Sequence, residues 1–293
     1  MWYIPPQKQE QKQPNDSDIK ELRKIHIHLG KKIDSPFVGE YRSTFRGQGM
    51  EFEDVRVYEP GDDIRRIDWN VTARTGLPHI KQYRESRERT ISIVCDASAS
   101  MRWGQNSSKR LQMARISGIF AYSALRSGDR LSFLRYSDHI ECFLPPQKGK
   151  GHIWGIIKES FNYSGKGKGS NILTAVDHLI HRVPKRSVVI WISDFFSPDI
   201  ENIQRLQSRF DVHALLIYDE REMQIDNNLG WMMLQDMETG QIQKIHTRSI
   251  VPFDKEEKEK QLRSFGCKVT TIECQREASN EVLRYFRSHR SIL

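Results

Sequence analysis

The chain has 293 residues, enough for one large domain or two modest ones with a sizeable core. Its net charge of +8 and pI near 9.3 permit nucleic acid, acidic lipid or an acidic protein as partner and select none of them. The longest apolar run, Val188 to Ile192 with Phe195 and Phe196 just beyond, is far shorter than the roughly 20 residues of a membrane helix, and no secretory leader is legible after Met1, so a soluble, cytoplasmic protein is expected.

In chain order, residues 1 to about 16 are rich in Gln, Lys and Pro and read as a disordered tail. Asp16 or Ser17 can cap a short helix over Ile19, Leu22 and Ile25, stopped at Gly30. From Phe37 to Thr90 glycines and Pro60-Gly61 punctuate short apolar pieces, such as Val55 to Tyr58 and His79 to Tyr83, that read as strands. The expected organisation is a tail and helix over 1–36, an irregular, basic, β-rich segment over 37–89, and a main domain over 90–293.

From residue 90 strand-like runs at 91–95, 131–136, 187–193, 212–217 and 268–272 alternate with helical stretches. Lys109 to Arg126 places Leu111, Arg115, Gly118, Tyr122 and Leu125 on one stripe, and further helices are expected at 151–161, 172–183, 200–209, 254–265 and 278–288. This alternation predicts an α/β fold with a doubly wound, mostly parallel sheet and helices on both faces. An extra strand at 140–144 and a hairpin over 230–246, turning at Glu238-Thr-Gly240, interrupt it. The cysteines, Cys95, Cys142, Cys267 and Cys274, form no C-x-x-C pair and are expected to be reduced.

The chemistry concentrates in Thr90 to Met101, TISIVCDASASM. An apolar strand breaks into Asp96, Ser98 and Ser100, oxygen-bearing residues at every second position with alanines between. Three such oxygens in one loop suit a hard divalent cation, which takes about six oxygen ligands; read alone, the same pattern also suits a helix N-cap. Two further stretches can supply ligands from other strand ends. Val188 to Ser193 is an apolar strand ending in Asp194, and the Gly-rich loop Gly165 to Gly169 runs through Ser170 into a helix.

This set resembles the metal-ion-dependent adhesion site of von Willebrand factor A domains. Tyr58-Glu-Pro-Gly-Asp-Asp-Ile-Arg-Arg-Ile-Asp-Trp-Asn70, followed by Thr72-Ala-Arg74 and Lys81 to Glu85, is similar to the signature of the domain of unknown function 58 family, bacterial and archaeal proteins that join this segment to a von Willebrand A-like domain. The resemblance implies a metal site of Asp96, Ser98, Ser100, Ser170 and Asp194, with Ser170 where the family usually has threonine and Thr174 a poorer substitute inside the helix. It implies Mg²⁺, or Mn²⁺ or Ca²⁺, with one open position for an acidic residue of a protein partner. It also implies a non-enzymatic adaptor for a MoxR-type AAA+ ATPase, in the assembly or activation of other complexes.

Two other functions compete with this one. Arg65, Arg66, Arg74, Lys81, Arg84, Arg87 and Arg89, with Trp69 and Tyr83 among them, can form a nucleic-acid surface, or can pair with Asp62, Asp63 and Asp68 to fix a loop. Asp96 can also be read as the nucleophile of a metal-dependent phosphohydrolase, although Ser98 stands where such enzymes usually carry a second acid. Gly165, Gly167 and Gly169 lack the P-loop pattern, which argues against ATP binding.

Overall fold

Strands that are apolar on both faces are stable only inside a sheet covered on both sides, and this chain has several. The computed structural model describes residues 36–45, 50–85, 89–102, 108–162, 169–220, 231–235, 242–246 and 254–289. Its elements are α1 (Pro36–Thr44), β1 (Met50–Val57), α2 (Trp69–Thr75), β2 (His79–Glu85), β3 (Thr90–Asp96), α3 (Ser108–Ser127), β4 (Arg130–Tyr136), β5 (Ile140–Gln147), α4 (Lys150–Ser160), α5 (Ile172–Arg182), β6 (Val188–Ser193), a 3₁₀ helix (Ile200–Leu206), β7 (Asp211–Tyr218), β8 (Trp231–Gln235), β9 (Ile242–His246), α6 (Lys255–Ser264), β10 (Lys268–Glu273) and α7 (Ala278–Ser288).

Six strands form the central sheet in the order β10-β7-β6-β3-β4-β5, parallel throughout except for β5, which runs antiparallel to β4. The chain fills one half of the sheet from β3 outward and then crosses back to β6, so the strand order reverses between β3 and β6. In doubly wound sheets that switch point opens a crevice at the carboxyl ends of the strands, where ligands bind.

Successive strand residues serve opposite faces. Ile91, Ile93, Phe133, Ile190 and Leu215 pack with α1, α3, α4 and α7, whereas Val94, Leu134, Val189, Trp191 and Leu216 pack with α5, the 3₁₀ helix and α6. The expected single stripe on α3 is a difference. Leu111, Arg115, Tyr122 and Leu125 are half-buried, while Ile116, Phe120, Ala121 and Ala124 are fully buried. The helix is covered nearly all round because α1, α4 and α7 lie against its outer sides.

Residues 36–44, where an irregular segment is expected, form a helix that belongs to the main core. Phe45 sits among Phe120, Tyr285 and Phe286, Thr44 Oγ1 donates to the Phe286 carbonyl, and Tyr41 Oη donates to Asp129 Oδ2 at 2.9 Å. Local spacing cannot reveal such contacts, since their partners lie far along the chain. Residues 50–85 are a β1–β2 antiparallel ribbon carrying α2, which Asp68 caps and Gly76 ends at φ +74°. The expected hairpin appears as β8 paired with β9, while its turn and the helix expected near residue 20 lie outside the described residues. The cysteines are free thiols. Among the described residues no helix is long and apolar enough to cross a membrane.

At the amino ends of the strands, buried His213 lies between Tyr285 Oη, 2.7 Å from Nδ1, and Asp211 Oδ2, 3.3 Å from Nε2. Burial holds its pKa below the ordinary value, with Lys268 and His289 adding to the effect and Asp211 opposing it. The unfolded chain therefore takes up a proton, at about pH 6.5, that the native imidazole refuses, and stability falls as pH drops through that window. Urea denaturation just above and just below it should show a smaller loss in His213→Gln than in wild type.

Candidate functional site

Strand β3 delivers Asp96 to the switch point, and the adjacent β6 delivers Ser193 and then Asp194 to the same edge. Asp96 is buried. Its Oδ1 accepts from the Ser98 amide at 2.8 Å, and its Oδ2 accepts from Ser193 Oγ at 2.7 Å and Tyr136 Oη at 3.3 Å. Trp191 Nε1 donates to the Tyr136 oxygen at 3.1 Å and fixes the phenol. Burial, and then the neighbouring Asp194 carboxylate, raise the Asp96 pKa to about 6.

The loop after β3 connects the two acids. Ser98 Oγ and Ser100 Oγ are 3.1 Å apart, and Ser100 Oγ donates to Asp194 Oδ1 at 3.2 Å. Asp194 is turned into this position by Phe195, a buried residue held at φ +54°, where a side chain is uncommon. The Phe196 amide donates to Asp194 Oδ1 at 3.2 Å, and Lys109 Nζ donates to Oδ2 at 3.1 Å. Lys109 and Asp194 are both fully buried.

Ser170 arrives from the third loop. Ser197 Oγ donates to the Ser170 carbonyl, and Asp199 accepts from Ser197 Oγ and from the Ile172 and Leu173 amides, so the α5 entrance is tied to the loop after β6. Asn171 caps α5 by accepting from the Thr174 amide, which leaves Thr174 within the first helical turn. The Ser170 hydroxyl lies beside the Tyr136 phenol. Its oxygen is buried and completes no hydrogen bond of good geometry, although it lies close enough to the phenol to oppose the rise in the Tyr136 pKa.

The five expected residues therefore stand at one end of the sheet, on three loops. The 3.1 Å and 3.2 Å spacings of Ser98, Ser100 and Asp194 are those of hydrogen bonds, and they are also close to the roughly 3.0 Å between neighbouring oxygens around an octahedral ion with ligands at about 2.1 Å. The buried Ser170 hydroxyl, beside Tyr136, is a further oxygen at this end of the sheet. The donor set fits a hard divalent cation. Among the described residues no group of three His, Cys, Asp or Glu side chains is placed to hold a metal ion.

The rim is apolar and basic. Phe196 is 45% and Leu173 37% exposed, and Lys258 Nζ lies 6.0 Å from the Phe196 ring centre, its pKa lowered by burial against the opposing Asp194 charge. Asp138 and His139 follow β4 at this end and pair with each other at 2.5 Å, both exposed. Lys166 and Lys168 lie outside the described residues.

In the 54–85 segment Asp62 is taken by Arg56, through bonds of 2.6 and 2.7 Å, and Asp68 by Lys81 at 3.7 Å. Of the pairings expected for Arg65 and Arg66, one is present at the edge of contact, Arg66 to Asp63 at 4.0 Å. Lys109, Tyr136, Ser193 and Asp199 were not legible as site residues. Lys109 looks like any helical lysine until its burial is seen; Ser193 alone carried a local signal, as a hydroxyl directly before the strand-end acid.

Fold and site together define a mixed α/β protein with a doubly wound sheet and a crevice of hydroxyls and carboxylates at its switch point. The chain belongs to the family described as Protein of unknown function DUF58, whose match spans residues 54–263. Uncharacterized proteins of Mycobacterium bovis and Mycobacterium tuberculosis are 26% identical to it over 283 residues, covering 92% of this chain and 89% of theirs. Similar solved structures include the conserved hypothetical protein BatB from Bacteroides thetaiotaomicron, with TM-score 0.46 and 12% identity over 69% of this chain and 98% of that one. Another is proximal thread matrix protein 1 from the mussel byssus with a zinc-occupied metal-ion-dependent adhesion site, with TM-score 0.42 and 16% identity over 69% of this chain and 48% of that one.

Proposed function

We propose that this chain is a non-enzymatic, cytoplasmic interaction protein whose bound divalent cation receives an acidic side chain from a partner. Asp96, Ser98, Ser100, Ser170 and Asp194 would hold the ion, Mg²⁺ or alternatively Mn²⁺ or Ca²⁺. The observation that carries this reading is the buried Ser170 hydroxyl, beside Tyr136 and without a hydrogen bond of good geometry, at the same end of the sheet as Asp96, Ser98, Ser100 and Asp194. Bound there, the cation would supply an electrophilic position open to a carboxylate. The exposed Phe196 and Leu173 would then offer apolar contact around it. The partner implied by the family resemblance is a MoxR-type AAA+ ATPase, in the assembly or activation of other complexes.

The test is the affinity of the chain for its cognate ATPase in Mg²⁺ and in EDTA, for wild type and Ser170→Val. Wild type should lose binding in EDTA, and the variant should bind weakly in both. Equal affinity in all four conditions would overturn recognition through the ion.

A nucleic-acid reading is favoured by Trp69, 70% exposed beside exposed Arg65 and Arg66. A salt titration with generic DNA and RNA decides it, because phosphate binding falls steeply with salt. Hydrolysis has less support, since the Asp96 bonds come from an amide and two hydroxyls.

A further inference from the structure

We propose that Lys109 is a tethered counter-cation that weakens the site's hold on a divalent ion and tunes the bound ion toward an anionic partner. This rests on the cation reading above and concerns a residue outside its ligand set. Lys109 enters from α3, is fully buried, and places Nζ 3.1 Å from Asp194 Oδ2. The other Asp194 oxygen takes the Ser100 hydroxyl and the Phe196 amide. Asp194 would thus hold the ion as a carboxylate partly neutralised from within the chain, and it also orients Ser100.

The charge balance follows from these positions. Lys109 adds one positive charge beside the acids Asp96 and Asp194, while Arg110 on the Ala97 carbonyl and Lys258 near Asp194 are further cations at this end. With a divalent ion bound, the site is one charge more positive with Lys109 than without it, which favours a partner's carboxylate. Without Lys109 the ion would be held more tightly, and a carboxylate would meet less attraction. In a buried setting such differences are poorly screened. Lys109 therefore exchanges metal affinity for affinity toward an acidic ligand.

The experiment is a Mn²⁺ titration of the full chain, read by the electron paramagnetic resonance of free Mn²⁺, for wild type, Lys109→Gln and Lys109→Arg. Lys109→Gln, which can still donate to Asp194, should bind Mn²⁺ about tenfold tighter or more, and Lys109→Arg should match wild type. In the Mn²⁺-loaded proteins, acetate should displace bound water less readily from Lys109→Gln, as read by water proton relaxation. If Lys109→Gln is too unstable to titrate directly, the dependence of its melting temperature on Mn²⁺ reports the same affinity. Unchanged Mn²⁺ affinity in Lys109→Gln, or equal changes in the Gln and Arg variants, would overturn the role of Lys109 and leave the metal site standing. Absence of Mn²⁺ binding in all three proteins would overturn the metal site itself.

Discussion

Replacing Asp194 by alanine should destabilise the protein by about 3–5 kcal/mol, the range for removing one partner of a buried ion pair. Lys109 and Asp194 are both inaccessible, so the variant takes the carboxylate partner from a buried ammonium. It also removes the acceptor of the Ser100 hydroxyl and the Phe196 amide. Adding Lys109→Met to Asp194→Ala should restore most of the loss, because a neutral apolar pair no longer carries the desolvation cost of a charge. Chemical denaturation of wild type, the single variants and the double variant, in EDTA, measures the coupling. Additive losses would show that the pair does not act as a unit.

Replacing Asp96 by asparagine should have the opposite sign in metal-free protein. With its pKa raised to about 6, the native carboxylate holds a proton that the unfolded chain has released. Its contribution to stability is full below the unfolded value, about pH 4, and is lost as pH rises through about 6. Above that window the buried charge costs up to about 3 kcal/mol. The asparagine amide mimics the protonated acid, so Asp96→Asn should exceed wild type in EDTA above about pH 6 and converge with it below about pH 4. It should also lose the rise in melting temperature that Mn²⁺ gives wild type, since stabilisation by a ligand requires binding to the native state. A variant no more stable than wild type at high pH would mean that the three hydrogen bonds to Asp96 already offset its charge. Together the two substitutions separate the acids: Asp96 strains the metal-free fold, whereas Asp194 is held by its lysine.

The alternation of strands and helices from residue 90 was legible because both sides of the sheet are covered, and uninterrupted apolar runs such as Val188 to Ile192 have few other uses. The placement of α1 was not. Tyr41 and Phe45 find Asp129, Phe120 and Phe286 across the fold, and nothing in the spacing of residues 36–45 announces it. The face of α3 was read only in part: Leu111, Tyr122 and Leu125 do pack against the core, but a helix covered on several sides has no single apolar stripe to read.

For the site, sequence alone determined the kinds of atom available: an acid and two hydroxyls spaced by alanines after one strand, a second acid after another, and a hydroxyl after a Gly-rich loop. Those residue types have few joint uses besides holding a hard cation or capping a helix. The tertiary structure decided that β3 and β6 are neighbours at a reversal of strand order, which brings the loops together, and that the Ser170 hydroxyl lies buried beside Tyr136. It also decided that Lys109 belongs to the crevice. The charge of a buried site depends on every group folded around it, and a lysine 85 positions from its acid leaves no mark on local pattern.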